Sequence, residues 1–136
     1  MLFRSALQRA ADVLRKAGLD SFRIRAGNDV YVQGHIGTQN WLVTLPHPRR
    51  PEETLVQLYL NSHAAASRTD SERFVVRGAK RFHDVLDPRS GQPVDGVLQA
   101  TVISADPEQA DALSHALFVL GPKAGLAMLE IGRAHV

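Results

Sequence analysis

Apolar and polar positions change period several times along this chain, and each change marks an element. Leu7, Ala10, Ala11, Leu14 and Ala17 recur at helical spacing with Arg9, Asp12, Arg15 and Lys16 mostly opposite, which predicts an amphipathic helix with Gly18 just past its C-terminus. Phe22-Arg23-Ile24-Arg25 then alternates as a half-buried strand does. Gly27-Asn28 supplies a turn, and Val30-Tyr31-Val32 returns as far as Gly34, with Asp29 belonging to either turn or strand. Trp41 to Leu45 is a β run stopped by Pro46-His47-Pro48, and Pro46 to Glu53 reads as a polar loop. Leu55 to Leu60 is a further strand, expected to be buried on both faces at its end. Ala64 to Ser71 is small and polar, with no clear period. Arg73–Val76 and Lys80–Phe82 flank Gly78-Ala79 as a hairpin, and Val97 to Ile103 is a strand. Asp106 is the expected N-cap of a helix from Pro107 to Leu120, and Gly121-Pro122 ends it while launching a second helix through Leu129. Strands grouped between terminal helices predict an α+β fold with a mixed or antiparallel sheet packed on helices.

The 136 residues suit one domain with a real core. A formal charge of +2 is too small to make a nucleic-acid footprint, and Arg49-Arg50 beside two prolines reads as a solvated loop. The absence of cysteine excludes a disulfide framework and a thiolate metal site. No apolar run is expected to reach the length of a membrane span. Met1 to Ser5 and Glu130 to Val136 resemble translations of a short sequencing adapter, so residues 6–129 are expected to be the domain and both ends non-native.

On the last long helix Asp111, Ser114 and His115 stand at i, i+3 and i+4 and share one face, while Leu113, Leu117 and Leu120 occupy another. A carboxylate and a hydroxyl so placed can hold Mg²⁺. Spacing alone favours a solvated carboxylate–imidazole pair worth a few tenths of a kcal/mol. In Asp87-Pro88-Arg89-Ser90-Gly91, Pro88 fixes φ, Gly91 permits a positive φ and Asp87 can bond the backbone of the turn. Arg89 adds a planar fork suited to phosphate or carboxylate. His35, His47 and His63 are isolated and read as surface or structural histidines, and Trp41 as core. No P-loop, G-x-G-x-x-G or G-x-S-x-G occurs.

His83-Asp84-Val85-Leu86-Asp87-Pro88-Arg89-Ser90-Gly91, followed by Ala110-Asp111-Ala112-Leu113-Ser114-His115-Ala116-Leu117-Phe118-Val119-Leu120-Gly121, resembles the C-terminal half of the FAD:protein FMN transferase (ApbE) family. That family shows an H-I-x-D-P-R-T-G loop and then an A-D-A-L-A-T-A-L-F-V-L-G helix. Ala26-Gly27-Asn28-Asp29-Val30 resembles its N-A-G-G-D-I turn, and Ala66-Ser67-Arg68-Thr69-Asp70-Ser71-Glu72-Arg73-Phe74 its A-T-S-G-D-Y-E-R-Y segment.

The resemblance implies an ApbE-like, T-fold-related C-terminal portion and Mg²⁺-dependent transfer of FMN from FAD to a Thr or Ser hydroxyl of an acceptor protein, with AMP leaving. It implies a cofactor-binding set of His83, Asp84, Val85, Asp87 and Arg89 and a metal set of Asp111, Ser114 and His115. It further implies that the full-length protein is periplasmic or anchored at the inner membrane. Three departures stand out: Asp84 in place of the family's His, His115 in place of its Thr, and Arg68-Thr69 in place of its Ser-Gly. They open an alternative expectation, a non-catalytic ApbE-like binding module that has lost the active site.

Overall fold

Period-two alternation on the central strands sorts side chains to two sides, and both sides are covered. The computed structural model describes residues 4–133, with the side chains of residues 6–130. The outermost residues of both proposed non-native ends lie outside the described residues. A helix α1 (Arg4–Lys16) precedes strands β1 (Phe22–Ala26), β2 (Asp29–Gln33), β3 (Trp41–His47), β4 (Arg50–Leu60), β5 (His63–Thr69), β6 (Phe74–Arg77), β7 (Lys80–His83) and β8 (Gln99–Ser104). The last element is α2 (Pro107–Arg133). Strands β1-β2-β5-β8 form an antiparallel sheet in that order, and β3–β4 and β6–β7 are separate hairpins. The fold is α+β, as expected.

Tyr31 of β2 with Ala64 and Ala66 of β5 faces the helices, meeting Ala11 of α1 and Ala110 of α2. Val30, Val32 and Ala65 face the other way and pack on Val43 and Leu45 of β3. Three layers result: helices, sheet and the β3–β4 hairpin. Trp41 packs at the edge of the second cluster and donates its indole N–H to the Gln33 carbonyl at 2.9 Å.

Several expectations need correction. The Ala64–Ser71 stretch is the central strand β5 and its terminal turn. Its alanines have little strand preference of their own but let α2 and the hairpin approach from both sides. Strand β3 continues through Pro46, which lacks a donor and sits at a register shift: Leu45 pairs with Val56, but Pro46 pairs with Thr54. β4 therefore begins at Arg50, inside the expected loop. Its apolar residues are mostly exposed rather than buried on both faces, Tyr59 at 67%. Arg49 is not solvated loop either; it pairs in bidentate fashion with the Asp70 carboxylate, through Nη1 at 2.6 Å and through Nη2.

Asp106 caps α2 as expected, its Oδ1 accepting the Glu108 N–H at 2.8 Å. Gly121 (φ 76°, ψ 173°) breaks the helical path before Pro122, and the second segment continues past Leu129. Pro107–Glu130 is nevertheless long and apolar enough, by length and composition alone, to cross a membrane, contrary to the expectation that no run approaches that length. Within its apolar window 17% of the residues are buried, and Ala110, Asp111, Ser114 and Phe118 are among the buried residues of the helix.

Candidate functional site

The parity that sends Tyr31 and Ala66 towards the helices sends Asp29 and Arg68 the same way, since Asp29 lies two residues before Tyr31 and Arg68 two residues after Ala66. There they meet α2. Arg68 donates through Nη1 to Asp29 Oδ1 at 3.2 Å and through Nη2 to Asp29 Oδ2 at 3.3 Å. Nη2 also bonds Asp111 Oδ1, Nη1 bonds the Ser67 carbonyl at 2.9 Å, and Nε reaches a ring nitrogen of His115 at 2.9 Å. Asp29 also accepts the Ser67 N–H at 3.1 Å. Burial pushes the Asp29 carboxyl above the usual aspartate range, more strongly than Arg68 pulls it down.

The sequence expectation for α2 is thereby half inverted. Asp111, Ser114 and His115 do share a face, but Asp111 (4% exposed) and Ser114 (0%) are buried against the sheet. Leu120 on the supposed apolar face is 39% exposed. A solvated carboxylate is excluded. Ser114 turns its hydroxyl back to the Asp111 carbonyl at 2.8 Å.

The loop after β7 is tight, as expected: the Gly91 and Ser90 N–H groups donate to the Asp87 carbonyl, at 2.8 and 3.2 Å, and Val94 N–H to the Val85 carbonyl at 3.1 Å. Its residues divide between two roles. Buried His83 donates Nε2–H to the Val94 carbonyl at 2.8 Å and accepts the Val85 N–H on Nδ1 at 3.3 Å. Its ring stands edge-on to Phe118, centroids 5.7 Å apart. With both nitrogens used, His83 staples the loop to α2. Asp87 accepts from Arg89 Nε at 3.0 Å and Nη2 at 2.8 Å. This bonding holds the Asp87 carboxyl below the usual range and Arg89 above its own.

A cleft of about 530 Å³ opens beside this cluster. Its walls include Gly27 and Asn28 of the β1–β2 turn, Asp29, Arg68, Thr69, Arg73, Asp84, Val85, Asp111 and His115. Of the resemblance-derived cofactor set, Asp84 and Val85 line it; His83, Asp87 and Arg89 do not. Of the metal set, Asp111 and His115 line it and Ser114 does not. Asp29 and Arg73 were missed by sequence reasoning, although strand parity with Tyr31 is a signal that would have placed Asp29. The Gly27 turn is kept open by φ +59°, whereas Asn28 needs no positive φ. Mg²⁺ does not fit these residues as placed: a guanidinium fills the gap between the carboxylates, Ser114 is turned inward, and His115 bonds Arg68. Among the described residues no group of three His, Cys, Asp or Glu converges for a metal.

The chain is 33% identical over 124 residues to the FAD:protein FMN transferase of Klebsiella pneumoniae (strain 342), covering 90% of this chain and 38% of that protein. It is 31% identical over 117 residues to the FAD:protein FMN transferase of Rhodobacter capsulatus, covering 86% and 22%. The crystal structure of the ApbE protein from Thermotoga maritima superposes with a TM-score of 0.83 at 35% identity, over 88% of this chain and 39% of that one. The apo flavinyl transferase ApbE of Pseudomonas stutzeri gives 0.77 at 28%, over 94% and 40%. The chain thus spans about two fifths or less of each of these relatives. A family model described as the ApbE family matches residues 5–136, and the chain belongs to that family.

Proposed function

We propose that this chain, with 6–129 as its domain, supplies the C-terminal part of an FAD:protein FMN transferase. The observation that supports this most directly is convergence: the Ala26–Asp29 turn, the Asp84–Leu86 entry to the loop and the Asp111–His115 face of α2 line one cleft. In the proposed reaction a Thr or Ser oxygen of an acceptor protein forms a bond to the FMN-side phosphorus of FAD. The P–O bond to AMP breaks with its electron pair leaving on AMP, and the hydroxyl proton is released to solvent. The residues of this chain bind and orient: Val85 offers an apolar wall, and Arg73, exposed at the rim, offers a guanidinium to the diphosphate. Magnesium, the cation the resemblance implies, carries no step here because Arg68 fills its place. Periplasmic or membrane-anchored placement of the full-length protein is part of the proposal.

Because the chain corresponds to 38% of the Klebsiella relative, the activity is assigned to a protein of the relatives' full length and not to these 136 residues alone. The test is to incubate such a protein carrying this chain with FAD and an acceptor bearing a D-x-x-[ST]-G-A-T segment, the target that the family resemblance implies. The flavin fluorescence that stays on the denatured acceptor is then measured. Labelling that needs the acceptor hydroxyl and releases AMP bears the proposal out; FAD binding without labelling selects the second reading, a non-catalytic binding module. Arg68, tied up inside the cleft, is the observation that keeps that second reading in play.

A further inference from the structure

A guanidinium carries five N–H bonds and no acceptor. Around Arg68 all five are used: one on His115, one on the Ser67 carbonyl, two on the Asp29 carboxylate and one on Asp111. The side chains are drawn from three elements, with Asp29 on β2, Arg68 on β5 and Asp111 and His115 on α2. Asp29 and Asp111 are 8% and 4% exposed, and two buried carboxylates turned towards one point are costly unless a cation or a proton lies between them. Oxygen ligands of this type suit a hydrated Mg²⁺ or Mn²⁺; the point is taken by the arginine.

We propose that Arg68 is the resident cation of this cleft, joining strand β2 to helix α2 where a divalent ion would otherwise do so, and that the folded chain consequently takes no divalent ion there. The inference is independent of the reaction proposed above, since it concerns what holds Asp29 and Asp111 together and not what the cleft binds. One consequence is that Arg68 has no N–H left for a phosphate. An anionic ligand must find its donors elsewhere on the cleft wall, of which Arg73 is one.

The test is thermal unfolding of the full chain in chelator and in Mg²⁺ or Mn²⁺, read alongside Mn²⁺ binding by electron paramagnetic resonance. The unsubstituted chain and Arg68→Lys should unfold at the same temperature in both media and bind no Mn²⁺ at this site. Arg68→Ser should unfold several degrees lower in chelator, recover part of that loss with either ion, and bind Mn²⁺. Arg68→Ser combined with Asp111→Asn should neither recover nor bind. Mn²⁺ bound by the unsubstituted chain and lost in Asp111→Asn overturns the proposal. So does an Arg68→Ser chain that no ion restores, or one whose unfolding is unchanged from the start.

Discussion

Asp84 and His83 are neighbours with opposite fates, and single substitutions separate them. Asp84 is exposed on the cleft wall, where a carboxylate within roughly 5 Å of a diphosphate costs on the order of a few kcal/mol at intermediate dielectric. Asp84→His in the full-length protein should therefore tighten FAD binding, measured by fluorescence quenching; unchanged or weaker binding removes Asp84 from the diphosphate's surroundings. His83→Ala should instead lower the unfolding midpoint while leaving FAD affinity nearly intact, because His83 bonds only loop backbone and packs on Phe118. The Asp87–Arg89 pair makes a pH prediction. Its folded carboxyl pKa is depressed, so the stability it contributes is present above the unfolded value and lost as pH falls through the folded one. In an NMR titration Asp87 should lose its charge at lower pH than an ordinary aspartate and return to ordinary behaviour in Arg89→Ala. An Asp87 midpoint indifferent to Arg89 would contradict the pairing.

At the scale of elements, what was legible depended on whether a segment's own chemistry matched its surroundings. Helix α1 and the β1–β2 and β6–β7 hairpins carry their period and turn residues in plain form, and they stand where the pattern places them. β5 does not, because a strand covered on both faces at close range is built from Ala64, Ala65 and Ala66, residues with no period to read. The α2 face is hard to read for the opposite reason. Asp111 looks solvent-seeking on its own and is buried against Arg68, distant in sequence, while Ser114 is buried with its hydroxyl turned back to the Asp111 carbonyl. The family resemblance found the loops but could not show that His83 turns inward. Two connections make element-scale predictions. A Cβ on Gly34 (φ +63°) would lie 2.3 Å from the Asp20 carbonyl oxygen, so Gly34→Ala should cost at least about 1–2 kcal/mol from the left-handed backbone alone. Arg49→Ala frees the β3–β4 turn and leaves the Asp70 carboxylate, 10% exposed, without its cation; truncating one partner of a buried pair costs about 3–5 kcal/mol, and the solvent that reaches Arg49 brings the loss towards the lower end. Urea denaturation measures both losses, and an Arg49 effect below about 1 kcal/mol would mean that Asp70 does not depend on the pair.

For the whole molecule, the three layers separate stability from the cleft, and two adjacent alanines on β5 test that separation. Ala65 (1% exposed) packs with Val43 and Leu45 towards the hairpin, while Ala66 (2%) packs with Ala110 of α2. Both are buried between packed layers, so valine at either should overpack its layer and cost about 1–3 kcal/mol. The functional consequences should differ. In Ala66→Val the added methyls push α2 from the sheet two residues from Arg68, where the helix carries Asp111 and His115 onto the guanidinium. In Ala65→Val they push the hairpin, which contributes none of Arg68's partners. Urea midpoints of the two variants should therefore fall by similar amounts. FAD affinity of the full-length protein should drop in Ala66→Val and stay near that of the parent in Ala65→Val, when both are measured well below their unfolding transitions. Equal losses of affinity would mean that the sheet transmits strain through both faces, and that the cleft owes its geometry to the whole stack of layers instead of to the sheet–helix interface.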